Sequence, residues 1–142
     1  MKPAGADRRS KIVMAVDDQA ETLLLIQSFV ESAGFGFVGA RRGREAMTLT
    51  DRLVPRLILL DIQMPNIDGF ETCRLLRTNP ALRTVPIAFL TARKTAEDVT
   101  AGLAAGGNDV IVKPFDPDKL IERIEYWTGR RVGEAPKNTS RF

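Results

Sequence analysis

The stretch Leu57-Ile58-Leu59-Leu60-Asp61-Ile62-Gln63-Met64-Pro65-Asn66-Ile67-Asp68-Gly69 decides how this chain is read. Four aliphatic residues run straight into a carboxylate. So short and apolar a run predicts a strand buried on both faces. Pro65 through Gly69 predict a turn into a helix. The acid at the end of the run, Asp61, has two readings. It is an ordinary strand-end turn residue, or it is a reactive group carried to a sheet edge.

Four more strand-length apolar runs surround this one. Together they fall at 12–16, 35–40, 57–60, 86–91 and 110–112. Segments with helical spacing lie between and after them, at 22–30, 43–53, 67–77, 95–105 and 116–127. Leu23, Ile26 and Val30 share one helical face in the first. Leu120, Ile124 and Trp127 do so in the last. Asp116 reads as an N-cap with Pro117 at the first helical position. Thr95 and Asp98 have the spacing of a helix cap. Gly34, Gly106 and Gly129 stand where helices should stop. The order is strand–helix five times over, which predicts an α/β, doubly wound, five-stranded parallel sheet with helices on both faces.

Composition narrows the chemistry. The chain has 142 residues, 44% hydrophobic and 27% charged, as expected of one globular domain. Cys73 is the only cysteine, so no internal disulfide forms and a cytoplasmic location is expected. No run is long enough to span a membrane, and the first residues lack the apolar stretch of a signal peptide. The net charge of +3 is unevenly spread. Residues 1–11 carry +3 and residues 130–142 carry +3, which leaves −3 between them. The ends, 1–10 and 129–142, read as flexible basic segments, the second a tail or linker. They are sparse in charge and lack interleaved aromatics, so no direct nucleic-acid binding is expected. The chain has no histidine. That removes the commonest general base and metal ligand.

The polar residues fall at revealing places. Asp17 and Asp18 follow the first strand, Asp61 the third and Lys113 the fifth, while Thr91 ends the fourth. In an open parallel sheet the carboxyl ends share one edge, where ligands bind. Three converging carboxylates repel one another unless a cation joins them. An all-oxygen set suits Mg²⁺, with Mn²⁺ as a substitute. Lysine and threonine offer a point charge and a hydroxyl to a phosphoryl group. The set fits phosphoryl transfer to a carboxylate.

With "VDD" at 16–18, "LLDIQMPNIDG" at 59–69, "LTA" at 90–92 and "VKPF" at 112–115, the chain resembles a response-regulator receiver domain of two-component signalling over about residues 10–128. The resemblance implies a flavodoxin-like fold with strand order 2-1-3-4-5 and a receiver domain at 11–128. It implies Asp61 as phospho-acceptor, with Lys113 and Thr91 serving the phosphoryl group. Asp18 and Asp61 would hold Mg²⁺, with Asp17 acting through water and Gln63 through its backbone carbonyl. Gln63 and Arg93 would tune the phosphoryl lifetime. The Lys113–Pro114 peptide would be cis. Receivers often carry an aromatic three residues before the lysine; here Val110 stands there, and the aromatic half of the switch is missing.

The implied function is a switch that takes a phosphoryl group from a histidine kinase or histidine phosphotransfer protein. The change would pass through the helix 4–strand 5–helix 5 face to an output domain or downstream protein. That face is also where a homodimer would form by family likeness. The implied chemistry is self-phosphotransfer and self-dephosphorylation, not turnover of a substrate. Two other readings compete. An aspartate-nucleophile phosphatase would need a second acid two residues after the nucleophile, where this chain has Gln63. A degenerate receiver acting only by protein binding would not need the five polar residues, all of which are present.

Overall fold

The computed structural model describes residues 11–129, and the expectations for the two basic ends lie outside the described residues. The strands are β1 (Ile12–Val16), β2 (Gly36–Ala40), β3 (Leu57–Asp61), β4 (Ile87–Thr91) and β5 (Asp109–Val112). The helices are α1 (Ala20–Ser32), α2 (Gly43–Thr50), α3 (Gly69–Arg77), α4 (Ala96–Ala105) and α5 (Pro117–Trp127). A short 3₁₀ turn, Pro80–Leu82, follows α3. All pairings are parallel, in the order β2-β1-β3-β4-β5.

Alternation along the strands builds two cores. Met14, Val16, Ile58, Leu60, Ile87, Phe89 and Val110 face one side, where Ala46, Cys73, Leu76 and Ala105 of α2, α3 and α4 pack. Val13, Ala15, Leu57, Leu59, Ala88, Leu90 and Ile111 face the other, against Ile26, Val30, Leu120 and Ile124 of α1 and α5. β3 and β4 are buried at every residue, as strands covered on both faces must be. β2 is an edge strand and is only half-buried along most of its length.

The expected helix ends are found. The Thr95 side chain accepts from the Asp98 N–H, and Asp116 caps α5 ahead of Pro117. Gly34, Gly106 and Gly129 all have positive φ. Boundaries shift in places. α2 stops at Thr50, not at 53, and α3 starts at Gly69 after an Asp68 cap. β5 begins one residue early, on the buried charge of Asp109.

Candidate active site at the carboxyl edge of the sheet

Parallel register carries three strand ends to one place. Val16 pairs with Leu60, so the residues that follow β1 stand beside Asp61, the last residue of β3. One carboxylate oxygen from each of Asp17, Asp18 and Asp61 lies within 4.8 Å of the others. Asp17 is wholly buried and Asp61 is 5% exposed. The Lys113 ammonium reaches in from the end of β5, 2.9 Å from Asp17 Oδ2 and 3.4 Å from Asp61 Oδ1. Its backbone N–H donates to the Thr91 carbonyl, which ties β5 to β4 at the same edge.

The loops are shaped to keep these groups in place. Asp17 donates its N–H to the Ala40 carbonyl and accepts the Gln19 N–H on Oδ1. It therefore braces the entry to α1 without being its N-cap, which is Gln19. After β3 the chain folds back tightly. The Gly69 N–H donates to the Ile62 carbonyl, and a Cβ at Gly69 would stand 2.2 Å from the Asp61 carbonyl oxygen. The Asp61–Ile62 backbone leaves no room for such a Cβ, which explains glycine at that position. Asn66 takes the turn's left-handed conformation, which asparagine tolerates better than most residues.

Charge is unbalanced here. Burial, and next the Asp17 charge, push the Asp61 carboxyl up from 3.8 to about 6. Lys113 and a hydrogen bond from the Gln63 backbone hold it down only in part. Burial pulls the Lys113 ammonium down, but the hydrogen bonds and charges of Asp17 and Asp61 outweigh it and raise it overall. Three carboxylates against one ammonium leave an excess of negative charge. Hard oxygen donors this close together fit a divalent cation such as Mg²⁺.

The remaining predicted residues lie at different depths. Thr91 is buried, and its hydroxyl donates to the Arg93 carbonyl at 2.8 Å, so it is bound up with its own loop. Gln63 and Arg93 are exposed. The Lys113–Pro114 peptide is cis. Val110 is fully buried and packs in the core that includes Phe89 and Ala105.

Three features escaped the sequence reading. Arg41, just past β2, donates two hydrogen bonds to the Asp18 carbonyl. Arg123 forms a buried ion pair with Asp109 at 2.5 Å, and the Trp127 indole N–H donates to the same carboxylate. Arg77 ties several carbonyls together at the opposite pole. A signal existed for the second: Arg123 lies on the apolar stripe of α5, three residues after Leu120.

Comparison with known proteins agrees with this geometry. A family model described as the response regulator receiver domain matches residues 13–125. The DNA-binding response regulator MtrA of Mycobacterium tuberculosis is 35% identical over 134 residues, 94% of this chain and 58% of its own length. The chain thus spans about half the length of the curated relatives it matches. The chemotaxis protein CheY4 of Vibrio cholerae superposes with a TM-score of 0.79 at 30% identity, covering 81% of this chain and 96% of that one. The receiver domain of a sensor histidine kinase from Pseudomonas aeruginosa has a TM-score of 0.78 at 29% identity, covering 84% and 98%. That structure holds a magnesium ion in its active site cleft. With the matching strand order, the acid cluster and a family match over most of its length, the chain belongs to the response regulator receiver domain family.

Proposed function

We propose that Asp61 is the phospho-acceptor of a signalling switch. The observation that carries this reading is the convergence of Asp17, Asp18, Asp61 and Lys113 at one sheet edge. A carboxylate oxygen of Asp61 attacks the phosphorus of a partner's phosphohistidine. The P–N bond breaks as the P–O bond forms, and the imidazole leaves to take a proton from solvent. These 142 residues hold no histidine, so the phosphohistidine lies outside them.

Asp18 and Asp61 would hold the metal ion directly, Asp17 through water and Gln63 through its backbone carbonyl. Mg²⁺ is the expected ion and Mn²⁺ an acceptable substitute. When bound, the ion offsets charge on the transferring oxygens. Lys113 is within reach of Asp61 already and is the group that would follow the phosphoryl oxygens. Thr91 becomes a phosphoryl partner only by releasing the Arg93 carbonyl, which couples occupancy of the site to the loop leading into α4. Gln63 and Arg93, both exposed, would affect water access and so the lifetime of the aspartyl phosphate.

The output is exerted through the α4–β5–α5 face on a partner protein or an output domain, and that face is also the proposed homodimer contact. Relatives named as DNA-binding regulators make a DNA-directed output the first to test in any longer protein. None of the described helices is long and apolar enough to cross a membrane, and a cytoplasmic setting is proposed on the lone, buried Cys73. The phosphatase reading finds no acid at position 63 to protonate a leaving group.

The deciding experiment adds Mg²⁺ and acetyl phosphate, or a cognate kinase with ATP, and weighs the intact protein. One phosphoryl group should be gained by the wild type and by none of an Asp61→Asn sample. No gain from either donor would overturn the proposal.

A further inference from the structure

We propose that Arg41 is a positioning residue for the divalent cation, acting through the backbone of Asp18; this rests on the metal reading above. Arg41 is the first residue after β2. Val16 pairs with Ala40, so the end of this edge strand lies beside the loop that leaves β1. From there the guanidinium spans a gap of 23 residues in sequence. Nε and Nη2 donate to the single carbonyl oxygen of Asp18, at 3.2 and 2.8 Å. The backbone of Arg41 is itself fixed, because its N–H donates to Glu45 Oε1 at 2.8 Å. Asp18, Arg41, Arg42 and Glu45 line a groove of about 240 Å³ beside the acid cluster.

The three acids of the cluster are not held alike. Asp17 is buried and bonded to Gln19 and Lys113, and Asp61 ends a fully buried strand. Among the described residues, the Asp18 carboxylate accepts no hydrogen bond, and its side chain is only half-buried. What fixes Asp18 is its backbone, and Arg41 is the side chain that grips it. A fork of two N–H groups on one oxygen restrains direction as well as distance, which a lysine cannot reproduce. Groups that orient a metal ligand from behind typically govern affinity by tenfold or more.

The sign of the effect separates positioning from charge. A guanidinium near a divalent cation repels it, so a purely electrostatic Arg41 would weaken Mg²⁺ binding and its removal would tighten it. A positioning Arg41 does the opposite. Isothermal titration of the full chain with MgCl₂ measures this directly, for wild type, Arg41→Ala and Arg41→Lys. Both variants are expected to bind Mg²⁺ about tenfold more weakly, although Arg41→Lys keeps the charge. Melting in chelator checks that both variants still fold. Tighter binding in Arg41→Ala, or wild-type affinity in both variants, would overturn the inference while leaving the metal site intact. A wild-type chain that takes up no Mg²⁺ would overturn the metal reading and this inference with it.

Discussion

Asp61 is a carboxyl group kept where its charge is unwelcome. Its pKa of about 6 arises first from burial and then from Asp17, against 3.8 in a free chain. The sign of the linkage follows. A group whose folded pKa is raised adds stability that is complete below pH 3.8 and is lost as pH rises through 6. Above that range the ionised group costs the fold roughly 3 kcal/mol, at 1.36 kcal/mol per unit. Lys113 has already lowered that cost, because its ion pair with Asp61 is among the causes that hold the pKa at about 6. In chelator at pH 8, Asp61→Asn is therefore expected to be more stable than wild type by roughly 1–3 kcal/mol, a rise of several degrees in melting temperature. At pH 4 the two should melt together. A variant less stable than wild type at pH 8 would contradict the account. The same excess of negative charge that destabilises the fold in chelator is what a divalent cation would offset.

α4 is thinly anchored by its own side chains. Only Gly102 and Ala105 are buried along it, while Leu103 is 52% exposed. Its N-terminal end rests on the Thr95 cap, next to the loop that holds the Thr91 hydroxyl. Its C-terminal end is tied from outside. Arg77, at the end of α3, donates through Nε and Nη2 to the Gly106 carbonyl at 3.0 and 2.8 Å. The same guanidinium bonds the carbonyls of Leu82 and Val85 and the side chain of Asn108. Asn108 in turn accepts the Ile87 N–H, at the start of β4. An element tied at its C-terminal end is expected to pivot there, with the freer end nearer Thr91 and Asp61. Amide hydrogen exchange should accordingly be faster in the first turns of α4 than in its last turn. Arg77→Met should erase that difference, because it orphans several carbonyls at once, at a cost of about 2–4 kcal/mol. Uniform exchange along wild-type α4 would argue against the pivot. With Val110 buried and no aromatic there to swing, a pivot of α4 is the route we propose for reporting the state of the site.

Across the whole molecule, what could be read in the sequence was what depends on local pattern. The apolar runs, the caps at Thr95 and Asp116 and the glycine stops are each written within a few residues, and all are found. The site was legible at one remove, because parallel topology alone sends Asp17, Asp61, Thr91 and Lys113 to the same edge. Partners fixed by register were not legible. The Arg41 to Asp18 and Arg77 to Gly106 contacts join residues 23 and 29 apart, and nothing local announces them. The sequence predicts β5 only from Val110, because a charge beside Asn108 reads as loop until Arg123 and Trp127 cover it. This last arrangement supplies a probe for a test of the entire fold. Trp127 is the only tryptophan; it ends α5 and donates to Asp109 at the start of β5, the opposite pole from Asp61. The folded chain gathers three carboxylates within 4.8 Å, and the unfolded chain disperses them. A cation that binds only the folded state stabilises it by RT ln(1 + [L]/Kd), about 2.7 kcal/mol at a hundred times Kd. Urea unfolding followed by Trp127 emission should thus shift to a higher midpoint with Mg²⁺, beyond a sodium chloride control of equal ionic strength that only screens the acids. The slope should not change, since the same surface is exposed. Asp18→Asn should lose most of the shift. Equal midpoints in Mg²⁺ and in the matched salt would mean that the acids at the sheet edge do not act together as a cation site.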